Sequence, residues 1–278
     1  MMIYADGSGE YGLKNPSSTY LLAGTDGLIN VAKRNNMLLL TPFSPNTACA
    51  DGDGSCWYMG DSVGYAKWAE ELVKSVQSQY DIEKDRVAFG GYSSGAQLAT
   101  EWWVPSGAAQ RTMSDGVIVA ISYGGSPKMT EVTYDSTFKS KVHMNWNVGS
   151  NDSAYTGDGS YDAKSGYHAY TGKSFTTSID VISGLGHDRD DFGKVMEAQI
   201  KEHVPATGST TPTPDPDPTP DPTPTPAPFA TSVQPQTRSA RFTMNVPIST
   251  SPATYVYVYW GNGNYEYEYT YQDGATCR

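Results

Sequence analysis

Ser93 is the residue whose setting most directly suggests chemistry. It stands in Gly90-Gly91-Tyr92-Ser93-Ser94-Gly95, a G-x-S-x-G run. Val87, Ala88 and Phe89 precede it as a short apolar stretch of buried-strand type, and Ala96 to Thr100 follow as a helix. Strand, G-x-S-x-G and helix together form a nucleophile elbow, in which the serine hydroxyl projects above the sheet from a sharp, strained turn. Gly91 and Gly95 leave room because side chains there would strike the neighbouring strand and helix. The competing reading is a Ser/Gly strand-to-helix turn with no chemistry.

A serine hydroxyl needs a base, and the base needs an orienting carboxylate. Behind such an elbow the chain order is Ser, acid, His. Of four histidines, His143 falls within a strand and His203 on a helix side that faces the core. His187, in Ser183-Gly184-Leu185-Gly186-His187-Asp188, follows the last strand of the first 206 residues, and its glycines let the loop swing an imidazole over the sheet edge. His168 is the second candidate. The acid is expected after the strand at 141–148, where Asp152 is the first carboxylate past the strand end, with Asp158 and Asp162 as competitors. All three otherwise read as turn aspartates. An oxyanion hole requires two backbone N–H groups. Ser94 should supply one, and Gly7 or Ser8, in the loop Asp6-Gly7-Ser8-Gly9, the other.

The elements that must position these groups alternate between strand-like and helix-like patterns over residues 1–206, the mark of an α/β sheet with helices on both faces. Strands are expected at 2–5, 37–41, 87–89, 117–122, 141–148 and 176–182. Helices are expected at 26–35, from Asp61 to about Tyr80, and from Arg189 to Val204. The elbow strand is the third of six. In a complete α/β-hydrolase sheet it is the fifth of eight, which implies that two leading strands are absent from this chain. From Pro212 to Pro228 every second residue is proline, interleaved with Thr, Asp and Ala. Such a run prefers an extended course and joins no core, so 207–228 reads as a linker. Residues 229–278 read as a small, truncated β module: Tyr255–Trp260 and Tyr265–Tyr271 alternate about the turn 261–264. If both tyrosine rows share a face, they form an aromatic platform for a sugar or polymer surface; otherwise the tyrosines pack the module's own core.

Composition narrows the partners. A net charge of −11 argues against nucleic acid, and no apolar run approaches the length of a membrane span. A monomer is expected. Cys49 and Cys56 flank a Gly/Asp-rich loop and can close a small disulfide ring, as in an oxidising compartment; Cys277 has no obvious partner. Asp51-Gly52-Asp53-Gly54-Ser55 resembles the start of a calcium loop but lacks the later Glu ligand, so neither metal nor cofactor is expected. Among the aromatic residues, Tyr92 and Tyr123 are placed to line an acyl or aryl cleft, with Trp146 as a further substrate contact. Trp102 and Trp103 read as packing at a helix end.

MMIYADGSG, GGYSSGA, VGSND and GLGHD, in that order, resemble the secreted α/β-hydrolase esterases typified by feruloyl esterases and polyhydroxybutyrate depolymerases. The resemblance spans about residues 1–204. It implies Ser93 as nucleophile, Asp152 as acid, His187 as base, and Ser8 and Ser94 as oxyanion donors. One departure stands out: Asp6-Gly7 occupies the place of the family's His-Gly. The expectation is a secreted serine esterase acting on an extracellular polymer ester. A peptidase or amidase on the same fold, and an inactive polymer-binding protein, are the alternatives.

Overall fold

The computed structural model describes residues 1–204 apart from Asp51 and Asp81, and the backbone of 254–259 and 265–270. In chain order the elements begin with β1 (Met2–Ala5), α1 (Tyr11–Lys14), α2 (Leu28–Arg34), β2 (Leu39–Pro42), α3 (Ser62–Gln79) and β3 (Val87–Tyr92). Next come α4 (Ser94–Gln97), a π-helical segment (Leu98–Trp103), α5 (Ala108–Thr112), β4 (Gly116–Ile121), α6 (Ser136–Lys141) and β5 (Val142–Gly149). Last are α7 (Ser153–Thr156), α8 (Ala163–Thr171), β6 (Thr176–Ile182), α9 (Phe192–His203) and the strands β7 (Thr254–Tyr259) and β8 (Tyr265–Thr270). The sheet order is β6-β5-β4-β3-β1-β2-β7-β8. Strands β1 to β6 are mutually parallel, and β7 and β8 pair antiparallel. The six parallel strands form one α/β sheet in which the elbow strand β3 lies between β1 and β4.

Alternation along each strand divides the core into two layers. Ile3 and Ala5 of β1, Val87 and Phe89 of β3, and Ile118 and Ala120 of β4 face one layer, where α3, the π-helical segment and α8 supply Leu72, Val76, Trp103 and Tyr170. Met2 and Tyr4, Ala88 and Tyr92, and Val117 and Val119 face the other, closed by Leu13 of α1, Val31 of α2 and Phe192, Met196 and Ile200 of α9. Helix α3 starts where expected because the Asp61 carboxylate accepts the Gly64 N–H at 3.0 Å.

Several elements differ from the sequence reading. Strand β2 begins at Leu39 rather than Met37. Helix α9 begins at Phe192, because Arg189 is committed elsewhere: its buried guanidinium binds Asp191 at 2.7 and 3.0 Å and Asn147 at 2.7 and 3.1 Å. The Tyr/Gly-rich segment that carries His168 is helix α8. The hairpin register pairs Tyr255 with Tyr269, Tyr257 with Tyr267 and Tyr259 with Tyr265, while β7 also pairs with β2 from Leu39↔Tyr259 to Pro42↔Val256. The linker 207–228, Cys277 and the rest of the C-terminal region, with the proposed aromatic platform, lie outside the described residues. No helix among the described residues is long and apolar enough to cross a membrane.

Candidate active site

The elbow is built by close backbone approach. Ser93 has φ 51° and ψ −113°, a strained conformation for a residue with a side chain. Its N–H donates to Ile121 O at 3.0 Å, which fixes the turn to β4. A Cβ on Gly91 would lie 2.4 Å from the Gly95 carbonyl, and one on Gly95 would lie 2.0 Å from Ala5 O. Gly91 is therefore required by backbone on the opposite side of the turn, and Gly95 by the end of strand β1.

Two loops at the strand ends bring the partners to Ser93. After β5, Asp152 caps α7, its Oδ1 accepting the Ala154 N–H at 2.9 Å, and its side chain is fully buried. After β6, the loop bearing His187 is pinned to the loop bearing Asp152: Asn151 N donates to Leu185 O at 2.9 Å, and Gly184 N to Ser150 Oγ at 2.8 Å. Gly149 admits this contact, since a Cβ there would stand 2.1 Å from Leu185 O. Arg189 then ties the end of the loop back to β5 through Asn147.

The outcome is a continuous chain of polar atoms. His187 Nδ1 lies 3.0 and 3.1 Å from the two Asp152 carboxylate oxygens, and its Nε2 lies 3.2 Å from Ser93 Oγ. With Asp152 ionised, Nδ1–H donates to the carboxylate and Nε2 is left to accept the serine proton. Burial opposes ionisation of Asp152, but the hydrogen bonds from His187 and Ala154 outweigh it and hold the carboxyl below its usual value. His143 and His203 stack on each other at 3.7 Å, with His143 bonded to Ser178, so neither belongs to this chain. His168 sits on α8, and Asp162 precedes that helix and accepts the Gly159 N–H, an arrangement that leaves the Ser93–His187 pair to Asp152.

The loop after β1 is held by Asp6. Its carboxylate, only 2% exposed, accepts the Gly7 N–H at 2.9 Å and the Gly12 N–H at 3.0 Å. Desolvation raises its pKa to about 6 against the opposing pull of those donors. The Gly7 N–H is thereby spent, and Ser8 is the loop residue that lines the cavity beside Ser93. Glu10 is also buried. It accepts from Ser44 N, while Gly9 N donates to Ser55 O at 2.8 Å, so the loop is fastened to the ring closed by the Cys49–Cys56 disulfide. Ser94 opens helix α4, and the first turn of a helix leaves its N–H groups without intrahelical partners.

A cavity of about 670 Å³ opens at Ser93, lined among others by Ser8, Tyr58, Gln97, Glu101, Trp102 and Tyr123. Tyr123 is thus where the sequence placed it. Trp146 is not: it is fully buried in the core and its Nε1 donates to Gly124 O at 2.6 Å. Tyr92 is also absent from the lining. It lies beneath the site, where a Cβ on Gly7 would meet its ring at 2.7 Å and its Oη donates to His187 O at 3.0 Å. It supports both loops instead of touching substrate. Trp102 departs in the other direction, facing the cavity while Trp103 stacks on Phe89 in the core. The π-helical turn causes this, because its wider repeat lets Gln97, Glu101 and Trp102 share one face. Lys128 and Tyr161 come to the cavity from distant loops that carried no sequence signal.

No family model matches the chain, and no curated protein matches its sequence. The structure is similar to Arabidopsis thaliana SOBER1, with 17% identity, TM-score 0.48, and 72% of this chain and 97% of that one covered. It is similar to the Bacillus cereus carboxylesterase at 12% identity and TM-score 0.49, covering 73% and 87%. It is also similar to a phospholipase/carboxylesterase from Dyadobacter fermentans at 16% identity and TM-score 0.45, covering 72% and 88%.

Proposed function

We propose that the chain is a serine hydrolase of carboxylic esters. The observation that carries this reading is the unbroken Ser93–His187–Asp152 chain at the mouth of a cavity large enough for a substrate. In this mechanism His187 Nε2 takes the Ser93 proton as Oγ attacks the ester carbonyl carbon. The oxyanion that forms is held by the Ser94 N–H and a donor from Ser8. Nε2 returns the proton to the departing alcohol, leaving an acyl group on Ser93. Water then gives a proton to Nε2 as its oxygen attacks the acyl carbon, and Nε2 passes that proton to Ser93 Oγ as the acyl–Oγ bond breaks, releasing the acid and restoring the serine. Asp152 stays ionised throughout and stabilises the transient imidazolium.

The finer reading is a secreted enzyme acting on an extracellular polyester or plant-wall ester. It is supported by the Cys49–Cys56 disulfide and the Pro/Thr/Asp-rich run at 207–228. The test is turnover of p-nitrophenyl acetate and butyrate, the matching anilides, and insoluble ester polymers by wild type and Ser93→Ala. Ester turnover that vanishes in a folded Ser93→Ala protein supports the reading. Retained turnover refutes it, and faster anilide turnover assigns an amidase.

A further inference from the structure

Glu101 is unusual among the residues that line the cavity. It is 2% exposed, yet no cationic side chain among the described residues lies within ion-pair distance of its carboxylate. Among the described residues its carboxylate is hydrogen-bonded only at Oε1, by the Gly125 N–H at 3.2 Å and by a long contact from Gln97 Nε2 at 3.4 Å. Oε2 has no hydrogen-bond donor among the described residues. Desolvation, opposed by the more distant Lys128 charge and these two donors, raises its pKa to about 7. Lys128 shares the cavity, but its ammonium is engaged by Ser160 Oγ and lies 5.8 Å over the Tyr161 ring. Glu101 is otherwise buried, but Oε2 is not enclosed and opens to the cavity without a protein donor among the described residues, which points to a ligand that completes its shell.

The backbone is arranged to hold Glu101 there. The π-helical segment directly continues the elbow helix and turns Glu101 and Trp102 together toward the cavity, while Lys128 N donates to Glu101 O at 3.0 Å. Trp102, Tyr58, Tyr123 and Tyr161 add aromatic surface to the same space.

We propose that Glu101 is a specificity-determining residue whose Oε2 accepts a hydroxyl hydrogen from the bound part of the ester, the ring bearing that hydroxyl lying against the aromatic wall. The inference rests on the ester-hydrolase reading. The hydroxyl has two possible sources, a phenol on the acyl side or a sugar on the alcohol side, and both present the same chemistry to the carboxylate. A cationic donor is disfavoured by the Lys128 ammonium in the same cavity.

The experiment measures kcat/KM, at a pH above the Glu101 pKa, on two matched pairs: methyl 4-hydroxycinnamate against methyl cinnamate, and a monoacetylated glucoside against cyclohexyl acetate. The enzymes are wild type, Glu101→Gln and Glu101→Leu. Wild type should favour the hydroxylated member of one pair by about ten- to a hundredfold, the range for one hydrogen bond to a charged group. That pair identifies which side of the ester carries the hydroxyl. The preference should fall toward one in Glu101→Leu and to an intermediate value in Glu101→Gln, whose amide oxygen still accepts and whose shape guards against loss of fold. No preference in wild type, or an unchanged preference in both variants, overturns the proposal. If p-nitrophenyl acetate is still turned over through Ser93, that result leaves the ester-hydrolase reading standing; no turnover of any ester by folded wild type removes both.

Discussion

Asp6 allows a quantitative test of how the loop beside Ser93 is held. Its pKa rises from 3.8 to about 6, mainly by desolvation, with the Gly7 and Gly12 donors opposing. At about 1.4 kcal/mol for each pKa unit, the difference between folded and unfolded states amounts to about 3 kcal/mol. An acid whose folded pKa is raised favours the folded state at pH values below that raised pKa. The contribution is complete below 3.8 and is lost as pH rises through 6. About 2 kcal/mol of it should disappear between about pH 4.5 and about pH 7.5. His143, lowered to about 4 by burial and the nearby His203, works in the opposite sense below 6.5, so the wild-type curve alone does not isolate Asp6. Asp6→Asn does. The amide keeps the size and one acceptor but has no proton to lose. Urea unfolding followed by tryptophan fluorescence at both pH values should show the variant gaining about 2 kcal/mol relative to wild type at the higher pH. A stability difference independent of pH would show that Asp6 is not a buried, proton-holding anchor of this loop.

The remaining predictions concern the site directly. Asp152→Asn should keep the fold but lower kcat on a soluble ester by about 10⁴-fold, because the amide no longer fixes the imidazole tautomer; kcat within tenfold of wild type would count against its role. Gly95→Ala puts a methyl 2.0 Å from Ala5 O. The end of β1 must retreat by about 1 Å, so kcat should fall roughly 10²-fold and stability by about 1–3 kcal/mol or more, read from kinetics and thermal unfolding. Arg189→Met leaves Asn147 without its donor and Asp191, which is half-buried, without its guanidinium, and destabilisation of about 1–3 kcal/mol is expected in urea unfolding. A loss below about 1 kcal/mol would show that the His187 loop is held by other means.

Much of the sheet was legible because parallel strands buried on both faces read as short apolar runs, and Val87–Phe89 and Val117–Ser122 are of that kind. The same property hid which face a residue takes. All of β5 is buried, so its pattern gave no means of telling that Trp146 points into the core. The positions of Ser93, Asp152 and His187 followed from loops at strand ends, which the order of elements fixes. Side-chain hydrogen bonds to the backbone left no such trace. The sequence offered Gly7 and Ser8 as equivalent donors, and only the Asp6 carboxylate separates them. Trp102 and Glu101 were missed because a regular α-helical repeat does not bring both to the cavity, whereas the π-helical turn does. Helix α8 escaped notice because glycine, threonine and tyrosine are weak helix formers, and tertiary packing of Ala163 and Tyr170 supplies what propensity does not.

The central claim is that one hydroxyl is made nucleophilic by the imidazole beside it. Labelling the folded, full-length protein with a fluorophosphonate and mapping the adduct by peptide mass spectrometry tests this most directly. The expected result is a single adduct on Ser93 in wild type, lost in His187→Ala. An adduct on another serine, or none on protein that unfolds cooperatively, would contradict it.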